Sequence, residues 1–85
     1  MIRPNDVVLH KPSGEKWVVC GVDHSKDELI PCGYPFPSLA KISDCELIEE
    51  HYSIEPQTEW QIKALQQHGL DRFIDVRSAM FHGII

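Results

Sequence analysis

The fold of this chain is decided by residues 6–22, DVVLHKPSGEKWVVCGV. Two runs rich in β-branched residues, 6–10 and 15–22, flank the tripeptide Pro12-Ser13-Gly14. Proline fixes φ and glycine supplies a positive φ, so this tripeptide predicts a tight turn. The sequence therefore predicts a β-hairpin. Its second strand is apolar on both faces, which is typical of a strand in the middle of a sheet.

Further short β-rich segments occur before residue 50. Three more strands are predicted, at residues 28–32, 39–42 and 47–50. Gly21 inside the second strand predicts a bulge or sharp bend, which allows a small sheet to curl. Ser43 and Glu46 fit a capping box, so one helical turn is expected before the last strand. This order of elements is typical of a five-stranded SH3-like β-barrel, expected at about residues 3–50.

The chain after residue 50 changes to a helical period. A first helix is expected at about 57–68, with Trp60 as its anchor against the barrel and Gly69 as the residue that ends it. A second helix is expected at about 71–82 with one apolar stripe, made of Phe73, Ile74, Val76, Met80 and Phe81. The predicted class is α+β: a five-stranded SH3-like β-barrel (1–50) followed by a C-terminal two-helix segment (51–85), together one domain (1–85).

Composition and charge narrow the classes of function. The chain has 85 residues, of which 42% are hydrophobic and 25% charged, as in ordinary globular domains. It contains no apolar run of the roughly 18 residues that a membrane span requires, and its start lacks the apolar core of a secretory signal. A cytoplasmic protein is therefore expected. The net charge is −5, and neither half of the chain has a basic stripe that could neutralise phosphates. Nucleic-acid binding is therefore not favoured.

Four segments of the first fifty residues resemble a set of short, uncharacterised bacterial proteins with an SH3-like barrel. They are residues 5–8, 12–19, 32–35 and 43–48. The opening is also similar to KOW-type barrels, in which a turn and hairpin follow an Asp-Val-Val strand. KOW domains bind RNA or ribosomal and transcription proteins, but the resemblance implies only the small barrel here, and RNA binding is not carried over. The resemblance supplies no catalytic motif and does not extend beyond residue 50, and the basic residues of KOW barrels are sparse here.

The cysteines are the candidates for metal or nucleophilic chemistry. Cys20, Cys32 and Cys45, with a histidine such as His10 or His24, form a possible zinc set. Their spacings of twelve and thirteen residues differ from zinc knuckles, which take two ligands from one tight turn. The alternative is three small buried thiols. We therefore expect no metal and no cofactor. Cys32, beside a glycine, is the best-placed nucleophile, but no catalytic spacing accompanies it and no enzyme is predicted.

Two sets of apolar residues are candidates for binding a partner. Trp17, Tyr34 and Phe36, framed by prolines, suit the recognition of proline-rich peptides, and the alternative is that they fill the core. The stripe residues Phe73, Val76, Met80 and Phe81 either pack on the barrel or pair with a second copy or a partner. The predicted function is a non-enzymatic protein-interaction module, either homodimeric through the C-terminal helix or docking on a protein. The alternatives are a nucleic-acid-associated KOW-like barrel and, more weakly, a zinc-stabilised domain.

Overall fold

The computed structural model describes residues 1–33 and 35–84. The strands are β1 (Val7–His10), β2 (Glu15–Asp23), β3 (Glu28–Pro31), β4 (Ala40–Lys41) and β5 (Cys45–Glu49). The helices are α1 (Glu59–Gln67) and α2 (Val76–Phe81). Short 3₁₀ turns lie at His24–Lys26, Ile42–Asp44 and Asp71–Phe73. The predicted α+β class is confirmed in this order, strands first and helices last.

The strands form one antiparallel sheet in the order β4-β3-β2-β1-β5. In the predicted hairpin, Val8 lies opposite Trp17, and the turn is closed by a 2.8 Å hydrogen bond from the amide of Gly14 to the carbonyl of His10. Gly14 has the positive φ that the turn requires, 71°. β2 lies in the middle of the sheet, as predicted. Within the described part of the chain, β4 and β5 are the two edges, so the sheet is open between them.

The predicted bulge occurs in β2, where it pairs with β3. Val19 lies opposite Pro31 and Gly21 opposite Ile30, so one extra residue is inserted in β2 between these pairs. Gly21 is needed here for space, because a Cβ atom would lie 2.8 Å from the carbonyl oxygen of Phe73. The absence of a side chain at Gly21 therefore lets the C-terminal segment approach the backbone of the sheet.

The two faces of the sheet carry separate apolar clusters. The cluster on one face is formed by Ile2, Val8, Val19 and Leu29. The cluster on the other face is formed by Cys20, Ile30, Leu65 and Phe73. Neighbouring residues of one strand point to opposite faces, which explains why Leu29 and Ile30 belong to different clusters. The second cluster is completed by α1 and by the 3₁₀ turn Asp71–Phe73, so the helical segment packs against the sheet.

The continuous helix predicted at 71–82 is wrong, because the segment is divided at Ile74. Ile74 has extended backbone (φ −77°, ψ 123°) between the 3₁₀ turn and α2. Asp75 begins α2 as its N-cap, and its carboxylate accepts a 3.1 Å hydrogen bond from the amide of Ser78. The predicted stripe is therefore split. Phe73 is 1% exposed in the core, whereas the stripe residues of α2 lie on the surface: Val76, Met80 and Phe81.

Gln57 connects the sheet to the C-terminal segment. Its fully buried side chain donates to the carbonyl oxygens of Cys20 (2.9 Å) and Phe73 (3.0 Å) and accepts from the amide of Asp75 (2.7 Å). Its own amide donates to the hydroxyl of Ser78 at 2.9 Å. Without this side chain, the carbonyls of Cys20 and Phe73 and the amide of Asp75 would lose these hydrogen bonds, and a buried unpaired polar group costs about 1–3 kcal/mol. One amide side chain thus satisfies backbone groups from the bulge, the 3₁₀ turn and the start of α2.

We predict that Gln57→Leu lowers the free energy of unfolding by about 2–4 kcal/mol, because it leaves three buried backbone groups without partners. Urea unfolding followed by tryptophan fluorescence measures this change. Gln67→Leu, at an exposed position on α1, is the matched control and should change the free energy by less than about 0.5 kcal/mol. Equal unfolding midpoints for the two variants would contradict the role assigned to Gln57.

Candidate functional site

A hollow in the surface lies between the end of β3 and the start of α1, and we call it the first hollow. Its volume is about 310 Å³, and its lining is mostly apolar. The residues that line it are Cys20, Cys32, Gly33, Phe36, Trp60, Gln61 and Ala64. Trp60 stands at its edge with 78% of its surface exposed. Phe36 is half-buried, and its ring makes an edge-to-face contact with the ring of His68, with 5.3 Å between the ring centroids.

A second hollow of about 290 Å³ adjoins the first, and the two share Cys32 and Gly33. It is lined by Glu15, Trp17, Pro31, Cys32, Gly33, Pro35, Ser38, Leu39 and Ala40. Trp17 is half-buried, packs against the first core cluster, and stacks on His10 with 4.0 Å between ring centroids. We call the lining of the two hollows the aromatic surface, defined by Trp17, Cys32, Gly33, Phe36 and Trp60.

The structure brings together some of the residues that were predicted to bind a partner and separates the others. Trp17 and Phe36 both belong to the aromatic surface, and Tyr34 lies outside the described residues. Phe73 belongs to the core and is not available to a partner. The exposed side chains of α2, which are Val76, Met80 and Phe81, do not line the aromatic surface.

The role predicted for Trp60 from the sequence is wrong, because its side chain is exposed. The sequence predicts that Trp60 anchors α1 against the sheet, but Ile62 and Leu65 are the buried residues of α1. Trp60 precedes Ile62 by two positions, about 200° around the helix, and therefore points away from that core face. Counting the helical period from the buried pair would have identified it as an exposed tryptophan.

Cys20 and Cys32 lie side by side in the first hollow. Cys32 follows β3, and its amide donates to the carbonyl of Val18 at 2.8 Å, which continues the pairing with β2. Ile30 and Cys32 are two residues apart and point to the same face, where Cys20 and Ile30 share a core cluster. Cys20 is 2% exposed, whereas Cys32 is exposed to solvent. The site therefore has one accessible thiol with a buried thiol next to it.

Gln61 of α1 donates a hydrogen bond to the Cys32 thiol, and its own orientation is determined by two other contacts. Its Oε1 atom accepts from the amide of Thr58 (2.8 Å), as the second half of a capping box. Its Nε2 atom donates to Oδ1 of Asn5 (2.8 Å) and to Sγ of Cys32 (3.3 Å). Because Oε1 already has a donor, the NH₂ group is the end that faces the sulfur.

Asn5 is held in turn by the backbone that precedes α1. Its Nδ2 atom donates to the carbonyls of Glu55 (2.9 Å) and Pro56 (2.8 Å), which leaves Oδ1 free to accept from Gln61. Asn5 is nearly buried and has a positive φ of 69°. Asparagine tolerates this conformation better than most residues. The donor that faces Cys32 is thus positioned by a chain of hydrogen bonds that ends on the backbone.

These contacts make the two thiols chemically different. The pKa of the Cys32 thiol is lowered to about 7 by hydrogen bonding with the neighbouring Cys20 thiol and, after the opposing effect of burial, by the Gln61 amide. The pKa of the Cys20 thiol is raised by its interaction with Cys32 and by burial. A thiolate is the reactive form of cysteine. At neutral pH, Cys32 is therefore the nucleophile of the pair and Cys20 stays protonated.

The third cysteine lies elsewhere. Cys45 is in β5 and packs against the first core cluster, on the other face of the sheet. Its pKa is raised by burial and by the charges of Asp44 and Asp27. Throughout residues 1–33 and 35–84, no group of three or more His, Cys, Asp or Glu side chains is arranged to hold a metal ion. The weak zinc candidates from the sequence are therefore not gathered into one set.

Comparisons of the chain with protein-family models, with curated proteins and with solved structures gave no match. In the described part of the chain, neither helix has the length and apolar character needed to cross a bilayer. The groups of the site itself therefore indicate its chemistry. These are an accessible, acidified thiol, a buried partner thiol, an amide donor, and apolar walls that include an exposed tryptophan.

We predict that iodoacetamide alkylates Cys32 faster than Cys20 or Cys45, and that the rate increases through pH 7. A thiol with a pKa of about 7 is half ionised at that pH, whereas one with the ordinary pKa of about 8.5 is roughly 3% ionised. Mass spectrometry of peptides assigns the label to each cysteine. Equal rates at the three cysteines, or a Cys32 rate that increases only above pH 8, would contradict the assignment.

The role of Gln61 is tested by Gln61→Glu. Glutamate keeps the acceptor for Thr58, but it cannot donate to Cys32 and it adds a negative charge beside the thiolate. We expect the Cys32 pKa to increase and its alkylation at pH 7 to slow about fivefold. Gln66→Glu introduces the same charge at an exposed position of α1 and should leave the rate unchanged. Identical pH profiles for the two variants would contradict the positioning role of Gln61.

Proposed function

We propose that this chain is a non-enzymatic protein-interaction module that binds an extended, proline-containing segment of a partner protein on the aromatic surface. The observation that carries the proposal is Trp60, a large apolar side chain that is 78% exposed at the edge of an apolar hollow. Tryptophan is enriched at the energetic centres of protein interfaces. Its exposure on the free chain is most simply explained by a partner that covers it.

The shape of the aromatic surface supports an extended occupant. The two hollows adjoin at Cys32 and Gly33, and Trp60 lines one of them and Trp17 the other. Side chains on one face of a polyproline II segment repeat every three residues, about 9 Å apart, and two neighbouring side chains of that face would enter the two hollows. Polyproline II segments bind to aromatic-lined grooves in this way and have little conformational entropy to lose.

Charge indicates which residues flank the apolar part of the partner. Glu15 lines the second hollow, and the chain has a net charge of −5. The first fifty residues hold nine acidic and five basic side chains. Complementary charge accelerates association and selects among partners. We therefore propose that the bound segment carries lysine or arginine next to its prolines.

The fold supports this proposal by analogy. The strand order β4-β3-β2-β1-β5 and the 3₁₀ turn Ile42–Asp44 before β5 are the arrangement expected of an SH3-like barrel. We propose that the sheet belongs to this architecture with an opening between β4 and β5. In SH3 domains, proline-rich peptides bind to aromatic residues on the surface of such a sheet. The likeness to SH3 domains is one of fold only, and the proposed function rests on the aromatic surface.

The face of α2 is a smaller candidate for self-association. Val76, Met80 and Phe81 are exposed, but three side chains on a six-residue helix offer roughly a few hundred Å², below the ~800 Å² per partner of a stable interface. Homodimerisation through this face stays a prediction. The KOW-like alternative also stays a prediction, and salt-dependent binding to RNA is its test.

We predict that a display library of random peptides, selected on the full chain, yields proline-containing peptides with flanking basic residues. Trp60→Ala should weaken their binding by about tenfold or more, measured by fluorescence anisotropy of a labelled peptide. Phe81→Ala removes an exposed aromatic residue from α2 and is the matched control, with an unchanged affinity expected.

Three results would overturn the proposal. One is a loss of peptide binding in Phe81→Ala but not in Trp60→Ala, which would assign the interface to α2. Another is a selection that recovers acidic peptides or no sequence preference. The third is a dimer in light scattering that Trp60→Ala leaves intact and Met80→Ser dissociates, because it would make self-association the function of the apolar surface.

A further inference from the structure

The two thiols in the first hollow are arranged for chemistry with each other. Cys20 is the extra residue of the bulge in β2, and Cys32 follows the end of β3, the strand that pairs with this bulge. Both sulfurs are on the face covered by α1, and both line the same hollow. One thiol is open to solvent and the other is buried next to it. A reagent that reaches Cys32 therefore finds a second thiol adjacent to the bond that it forms.

We propose that Cys32 and Cys20 form a redox-active dithiol that exchanges with low-molecular-weight disulfides. Cys32 is the attacking residue, and Cys20 is the resolving residue. The accessible hollow admits a small disulfide, and the amide of Gln61, fixed by Thr58 and Asn5, stabilises the attacking thiolate. This inference does not rest on the binding of a partner segment, because it uses the thiols and not the aromatic side chains.

The exchange takes place in two balanced steps. The Cys32 thiolate attacks one sulfur of a disulfide RSSR, the S–S bond breaks, and RS⁻ leaves and is protonated by water. A mixed disulfide on Cys32 results. Cys20 then releases its proton to water and attacks the Cys32 sulfur, which expels the second RS⁻ and forms a Cys20–Cys32 disulfide. The two cysteines lose two electrons, and RSSR is reduced to two thiols.

The electrostatics of the pair favour this order of events. Exchange is fastest for an attacking thiol whose pKa is close to the ambient pH, which is the condition of Cys32. The pKa of Cys20 is raised partly by hydrogen bonding to Cys32 and by its charge. Formation of the mixed disulfide removes that charge, so Cys20 becomes easier to ionise when its attack is required. Cys45, on the other face of the sheet, takes no part.

The test uses the full chain with oxidised glutathione as the probe at pH 7, acid quenching, and mass spectrometry of the intact chain and its peptides. The wild type and Cys45→Ser should form the Cys20–Cys32 disulfide and release two equivalents of glutathione. Cys20→Ala should instead accumulate one glutathione on Cys32. Cys32→Ser should react at least about tenfold more slowly, because its remaining partner thiol is buried and protonated.

Two outcomes of the glutathione experiment contradict the proposal. A wild-type chain that retains glutathione on Cys32 without an internal disulfide would overturn the proposal, as would a disulfide that includes Cys45. Circular dichroism and the urea midpoint of each variant confirm that it is folded. If Cys20→Ala is unfolded, Cys20→Val tests the same step with a side chain that fills the buried site. Loss of peptide binding in Trp60→Ala with normal disulfide formation would separate this inference from the proposed function.

Discussion

The hydrogen bonds of the Gln57 side chain are the interaction on which the rest of the structure depends. A nine-residue helix, a 3₁₀ turn and a six-residue helix are each too short to be stable alone in water. The first helix and the 3₁₀ turn pack on the sheet through Leu65 and Phe73. Gln57 satisfies the backbone groups that this packing buries and also bonds to Asp75 and Ser78 at the start of α2. Gly21, next to the bulge, provides the space because it has no side chain, and Gln57 provides the polar partners. Neither would be sufficient without the other.

A second set of buried polar groups links the N-terminal residues to the segment between β5 and α1. The carboxylate of Asp6 is fully buried and accepts from the amides of Arg3 (2.9 Å), His51 (2.8 Å) and Tyr52 (3.1 Å). Asn5, beside it, connects to the segment before α1. Adjacent residues at the start of the chain therefore stabilise the exit from β5 and the entry to α1. The buried Asp6 carboxylate therefore has hydrogen-bond partners, as buried polar groups generally do.

The Cys32 site results from these two sets of contacts. Its two sulfurs come from the sheet, its amide donor from α1, and its apolar walls from both. The donor has a defined direction because the other polar atoms of the Gln61 and Asn5 side chains are occupied. An exposed tryptophan and an acidified thiol occupy the same hollow. The aromatic surface and the dithiol are thus neighbours in space, although each proposal is based on different atoms.

Much of the fold follows from local features of the sequence. The hairpin follows from the tripeptide Pro12-Ser13-Gly14, and the end of α1 follows from Gly69, where φ is 68°. The helix begins at Glu59, two residues later than predicted, where Thr58 and Gln61 form a capping box. The division of the second predicted helix did not follow, because its period continues across Ile74. Asp75 favours a cap there, and its amide is fixed by Gln57, eighteen residues earlier.

The sequence by itself determined the strands, the hairpin turn, the bulge and α1, because these depend on the conformational preferences of adjacent residues. The tertiary structure decided which cysteines meet, where Trp60 points, and how the predicted stripe is divided. Cys20 and Gln57, for example, are joined by a hydrogen bond across 37 positions. No periodicity or motif records such a contact, because it depends on how separately formed elements pack and on which buried polar groups then need partners.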